Sequence, residues 1–187
     1  MKMMRKWRCW VVAVLVAVLV GVSSRVEAQA ASPWYGQVAL GPAYFSGGQY
    51  FTSDGWAGDL LLGRAIRSSA AGALVVAVTA GATVPTAETV ICTGRGPCLG
   101  TLPDLFQGAI LVGLTRGTVH GSASLMAGPG LTMSRDWTRL GLHVQADVTS
   151  PSVAHVALVL SPHLVLLPNL GKTSLSVRSF RLGVRVQ

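Results

Sequence analysis

Asp147, His155 and Arg185 are the residues of this sequence best equipped for chemistry. A carboxylate that orients an imidazole, and an imidazole that takes a proton from a hydroxyl, are the parts of a nucleophilic hydrolase or acyltransferase. In that reading Asp147 is the orienter, His155 the general base and Ser122 the nucleophile. The same side chains also read as a salt-bridged plug, because charges withdrawn from water must be paired or solvated, and the sequence favours the plug. His120-Gly121-Ser122 places a second imidazole beside a hydroxyl, a pattern with little specificity. Cys92 and Cys98, in ICTGRGPCLG, have no nearby His or Asp to complete a metal site. They are expected to close a small disulfide loop in an oxidising compartment. GRGPCLG precedes no helical pattern, so it is not read as a phosphate loop, and nothing in the sequence calls for a cofactor or a metal.

The elements that must carry these residues alternate with period two. In GLHVQADV, residues 141–148, Leu142, Val144, Ala146 and Val148 interleave with Gly141, His143, Gln145 and Asp147. Such a strand has one greasy face and one wet face. Eight strands of this kind are expected, at about 34–45, 56–66, 71–82, 105–116, 118–132, 138–148, 153–166 and 174–186. Helix-period patterns are scarce and glycine is abundant, at 22 residues. The chain therefore reads as all-β.

The beginning of the chain sets the compartment. Lys2, Arg5, Lys6 and Arg8 precede the apolar run VVAVLVAVLVGV, and Val26-Glu27-Ala28 supplies a small-x-small end. This is the form of a secretory signal peptide cut after Ala28, and the run falls short of the roughly 20 apolar residues of a membrane helix. No cysteine follows closely enough for a lipoprotein signal. Residues 29–187 then form one domain. The formal charge of +8 falls to +4 once Lys2, Arg5, Lys6, Arg8 and Arg25 are removed against Glu27. The remaining basic residues are scattered singly, which excludes a phosphate-tracking surface, so no nucleic-acid partner is expected.

Which face looks inward follows from side-chain size. Opposite the Leu- and Val-rich face stand mostly Gly, Ala and Ser, with a few Gln, His, Asp and Arg. A solvated outer face would carry more Lys, Glu and Asp, and only 12% of residues are charged. Small residues suit a crowded interior. The faces are therefore inverted relative to a soluble barrel, with large apolar side chains towards lipid and small and polar ones in a narrow lumen. Arg64, Arg116 and Arg178 have lipid-face parity, near strand ends where long side chains reach headgroups. Trp34, Tyr44, Trp56, Phe106, Trp137 and Phe180 are also placed near strand ends, as aromatic girdles require.

Counting by twos puts His120, His143, His155 and His163 on the lumen face. Hairpin pairing brings Asp147 near His155 across strands six and seven, and Arg185 near His155 across seven and eight. The expected lumen cluster is Asp147, His155 and Arg185 near one end, with His143, Gln145, Arg181 and Gln37. GPG at 128–130, inside a strand, reads as a bend or bulge.

In layout the chain resembles the small eight-stranded outer-membrane β-barrels of OmpA type: signal peptide, eight alternating strands, short turns alternating with longer links at 46–55 and about 83–104. The terminal FRLGVRVQ is similar to that family's assembly signal in its alternating Phe180, Leu182, Val184 and Val186, and departs from it by ending in Gln187 rather than an aromatic. The resemblance implies an up-and-down antiparallel transmembrane barrel with both termini in the periplasm and a structural or surface-interaction role. It implies outer-membrane lipid and lipopolysaccharide as surroundings and the barrel-assembly machinery as a partner in biogenesis. It implies no wide pore, since eight strands leave room only for side chains. His120-Gly121-Ser122 also has the spacing of the pair in barrels that deacylate lipid A, but with lumen parity instead of an outward one. A soluble lipocalin-like ligand-binding barrel, and a lipid A-modifying enzyme, are the alternatives.

Overall fold

A computed structural model describes residues 34–47, 51–69, 72–86, 103–118, 120–170 and 173–187. The proposed signal peptide (1–28) and the Cys92–Cys98 pair lie outside the described residues. Eight strands follow one another: β1 (Trp34–Gly47), β2 (Phe51–Ser69), β3 (Gly72–Pro85), β4 (Leu105–Thr118), β5 (Gly121–Met133), β6 (Thr138–Thr149), β7 (Val156–Leu170) and β8 (Thr173–Val186). Each pairs antiparallel with its neighbour in sequence, and β1 pairs antiparallel with β8 to close the barrel. Closure leaves no edge strand with unpaired backbone groups.

The period-two pattern becomes two surfaces. Val38, Leu40, Leu60, Leu62, Val78, Ile110, Leu114, Leu158 and Leu182 are exposed on the outside. Gln37, Asp59, Thr79, Gln145, Asp147, Ser161, Arg181 and Arg185 are buried inside. This orientation, greasy out and polar in, is the one that side-chain size predicts, and it opposes that of a soluble ligand-binding barrel.

Two features differ from the sequence expectation. The lumen also holds large apolar side chains. At the end where β1 meets β2, Phe45, Leu105, Leu167, Leu175 and Val177 form one cluster, with Trp137 packed against it. Leu61, Val75, Leu111 and Met126 form a second, beside β2 to β5. Small neighbours such as Ala43, Ala57, Ala77 and Ala109 make room for them, the large-and-small alternation that fills a narrow barrel. Trp137 therefore caps the lumen instead of joining a girdle, and Phe180 sits at the middle of β8, opposite Pro162. The expected 46–55 loop is also largely absent, because β1 and β2 stay paired as far as Gly47↔Phe51.

Three prolines interrupt the ladders without shifting the register. Pro42 pairs with Trp56 on one side, yet the β1–β8 ladder has no pairs between Leu40↔Leu182 and Ala43↔Ser179. Pro129 leaves the same gap between β4 and β5, and Pro162 leaves it between β6 and β7. A proline has no N–H to give, so each strand can bond one neighbour at that level but not both. At Gly128, before Pro129, a Cβ would collide with the carbonyl oxygen of Ile110, so the bend expected at GPG is a close backbone approach.

The β6–β7 link, residues 150–155, ends in a two-residue turn across which Val153 and Val156 exchange both backbone hydrogen bonds, at 2.8 and 3.0 Å. Its central residues, Ala154 (φ 49°) and His155 (φ 67°), both have positive φ. That geometry matches strand twist but disfavours any residue with a Cβ, and Ala more than His. Replacing Ala154 with Gly should therefore raise stability by roughly 1 kcal/mol, read as a higher denaturation midpoint of the folded barrel in detergent. A midpoint unchanged or lowered would show that the turn is not strained.

Candidate functional site

The candidate site is the polar half of the lumen, built by β1, β6, β7, β8 and the facing part of β2. Arg185 projects inward from β8, opposite Ala157, whose small side chain lets the guanidinium cross the lumen. Its Nη2 meets Asp147 Oδ2 at 2.5 Å and donates to Gln37 Oε1 at 2.6 Å, while Nε donates to the same oxygen at 3.0 Å. Tyr35 lies beneath the guanidinium, its ring centroid 4.5 Å from Cζ. The other oxygen of Asp147 accepts from Ser161 at 2.7 Å, Gln145 at 3.0 Å and Gln37 at 3.4 Å. Both oxygens of this carboxylate accept hydrogen bonds, Oδ1 from three donors and Oδ2 from the guanidinium, which lets a buried charge persist.

One turn of side chains further in, Arg181 Nη1 pairs with Asp59 Oδ2 at 2.7 Å, and Thr79 donates to the same oxygen at 3.3 Å. Both members of this pair are nearly inaccessible, at 2% and 3% of the side chain. Next to it His143 Nδ1 and His163 Nε2 approach to 3.3 Å, with ring centroids 5.3 Å apart.

The sequence-derived cluster is therefore partly assembled and partly not. Asp147, Arg185, Gln37 and Gln145 meet directly, and Arg181 and His143 lie deeper in the same lumen. His155 does not belong: it is exposed in the β6–β7 turn, where its carbonyl accepts from Gln187 N at 3.0 Å. The turn takes up residues 150–155, so Ser161 stands beside Asp147 where His155 was expected. His120 is likewise exposed in a turn, between β4 and β5. Face parity holds only while the backbone stays extended, and both residues lie beyond a strand end.

The catalytic arrangement considered from the sequence is not formed. Asp147 is bonded to Arg185, Ser161, Gln145 and Gln37, and the Ser122 hydroxyl lies 2.6 Å from Thr149 Oγ1. Asp59 and His163 are lumen residues that the expected cluster left out. Both carry the right parity, but Asp59 meets Arg181 across a strand that neither belongs to, and only closure of the barrel creates that contact.

The geometry makes the Arg185–Asp147 pair a structural lock. Asp147→Asn should destabilise the barrel by about 3–5 kcal/mol, because Arg185 is left charged and buried. Combining Asp147→Asn with Arg185→Met in one chain should recover much of that loss. Urea titrations followed by tryptophan fluorescence would measure both, and equal losses in the single and double variants would refute the lock.

The sequence matches no protein-family model and no curated protein. Among solved structures, the crystal structure of Neisserial surface protein A (NspA) superposes with a TM-score of 0.57 at 16% identity, over 84% of this chain and 99% of that one. Ail, the attachment invasion locus protein of Yersinia pestis, gives a TM-score of 0.44 at 12% identity over 82% of this chain and 99% of its own. A second Ail structure, in complex with the heparin analogue sucrose octasulfate, gives 0.43. What this chain shares with NspA is the fold, a closed antiparallel barrel with its strands in sequence order.

Proposed function

We propose that the protein is an integral outer-membrane barrel with a structural or surface-interaction role and no wide pore. The observation that carries this reading is the outward face: a closed barrel whose exposed residues include Leu40 and Leu60 at 60%, Leu114 at 66% and Leu182 at 65%. Water would penalise that surface heavily, and hydrocarbon solvates it at no cost. The inner face supports the second half of the proposal. Arg181, Phe45, Leu105, Leu111, Met126 and Leu167 are fully buried and fill the lumen from the β1–β2 end to its middle.

The sequence features add direction. A signal peptide cleaved after Ala28 would export the chain, and the barrel-assembly machinery would insert it. With eight strands both chain ends fall on the side of the short turns, which we assign to the periplasm. The opposite end, including the link that carries Cys92 and Cys98, would then face outward among lipopolysaccharide, with the two cysteines closing a disulfide. Surface interaction belongs to that end.

Recovery in the outer-membrane fraction, with a mobility shift between boiled and unboiled samples on a gel, is the expected result. Recovery as a soluble periplasmic protein would overturn the proposal. A second check uses the mid-barrel face. Leu160→Arg should lower stability in lipid vesicles by roughly 2–4 kcal/mol, measured by denaturant titration, whereas a soluble barrel with Leu160 in contact with water would tolerate the change.

A further inference from the structure

At the short-turn end, β2 contains a β-bulge. Its pairing with β3 runs in register to Ala65↔Val75 and resumes at Arg67↔Leu74, so Ile66 is an extra residue. On β2 the odd positions 57, 59, 61 and 63 face the lumen. Without the bulge Arg67 would follow them inward; with it, Arg67 stands opposite the outward-facing Leu74. A bulge that redirects one side chain is a recurrent functional device in barrels.

The redirected guanidinium joins others. Arg64 is exposed on the same face three residues earlier, its Cζ 5.1 Å from the ring centroid of Trp34. Arg116 is exposed on the same rim, at the end of β4. Among the described residues none of the three is in an ion pair, and the two ion pairs present use Arg181 and Arg185. The exposed aspartates, Asp54, Asp104 and Asp136, all lie at the opposite end of the barrel. Among the described residues, the short-turn rim is thus cationic with no exposed acidic side chain to balance it.

Beside Arg64 the outer wall has a shallow, open apolar groove over β8, β1, β2 and β3, lined by Val38, Leu62, Val78, Val184 and Val186, with Gly36 in its floor. Gly36 pairs with Leu62, and Trp34 pairs with Arg64, so the groove ends at the Trp34–Arg64 row.

We infer that this face binds an anionic phospholipid, with the phosphate between Arg64 and Arg67 and one acyl chain in the groove. Cations, an aromatic at headgroup depth and an apolar channel leading away from them match the three parts of such a lipid in order. The inference rests on the membrane reading above and adds a lipid class, a leaflet and the residues that select it.

The test is native mass spectrometry of the folded protein released from detergent micelles after titration with equal amounts of phosphatidylglycerol and phosphatidylcholine of matched acyl chains. The wild type should retain one phosphatidylglycerol in preference to phosphatidylcholine by about tenfold. Arg64→Gln with Arg67→Gln should bring the ratio near one, while Arg178→Gln, on the outer face towards the other end, should leave it unchanged. Gly36→Leu fills the groove floor, where an added Cβ meets nothing within 4 Å, and should lower retention of both lipids severalfold. A folded, heat-modifiable wild type with no preference would overturn the lipid site alone, as would a preference that survives the double change. A chain that never folds into detergent or vesicles would overturn the membrane reading and this inference with it.

Discussion

Two guanidinium groups enter the barrel from one strand, and two carboxylates from different strands meet them. Arg185 reaches Asp147 on β6, and Arg181 reaches Asp59 on β2, so β8 is tied inward in both directions around the ring. In a lumen this narrow, no charge can turn away to find water. The rest of the interior is arranged around that constraint. Gln37, Gln145 and Ser161 supply hydrogen bonds to the Arg185–Asp147 pair and Thr79 supplies one to Asp59, and apolar side chains fill much of the remaining volume. Below the apolar cluster around Phe45, polar side chains concentrate beside β6, β7, β8 and β1, and the apolar cluster beside β2 to β5 shares that wall with buried Asp59, Thr79 and Ser124. Specificity of closure follows, because a slipped register would strand a charge against Leu61 or Leu111.

Much of this was legible in the residues. Alternation located all eight strands, and the scarcity of charge opposite the Leu and Val face showed which way that face turned. Arg185, Asp147, Gln37 and Gln145 could be grouped because parity puts all four on the lumen face and hairpin order sets Asp147 and Arg185 at the same end. His155 could not be placed, since its position depends on how many residues the β6–β7 turn consumes, and a turn with positive φ at Ala154 and His155 gives no glycine signal. Arg181 was placed in the lumen, but its pairing with Asp59 was out of reach for a different reason: the two are separated by β1, and their contact exists only after the first and last strands join. The inward Leu61, Leu111 and Met126 were concealed by size, because a lumen expected to be lined by small residues leaves no place for them until the facing alanines are known. The bulge at Ile66 left no mark in the alternation, which simply ends there.

The two ends of the barrel differ in chemistry. Among the described residues, exposed acids gather with Arg135 and Arg139 at the end that carries the β3–β4 link, and the opposite rim carries arginines but no exposed acidic side chain. A barrel that is nearly symmetric in its walls is thus polar along its axis, which gives it an up and a down in any anisotropic surrounding.

The gap at Pro42 falls in the one ladder that joins the beginning of the barrel to its end. That ladder consists of two separate runs, Gly36–Leu40 with Leu182–Val186 and Ala43–Gly47 with Leu175–Ser179. The seam therefore cannot close as one continuous zipper; it is two short clasps with Arg181 behind the space between them. At that height β1 and β8 have no backbone pairs with each other, while β1–β2 and β7–β8 stay paired. Mechanical load that pulls β1 from β8 would have to open each clasp separately, and the buried Arg181–Asp59 pair acts as a bolt passed through the seam, joining β8 to β2 behind β1.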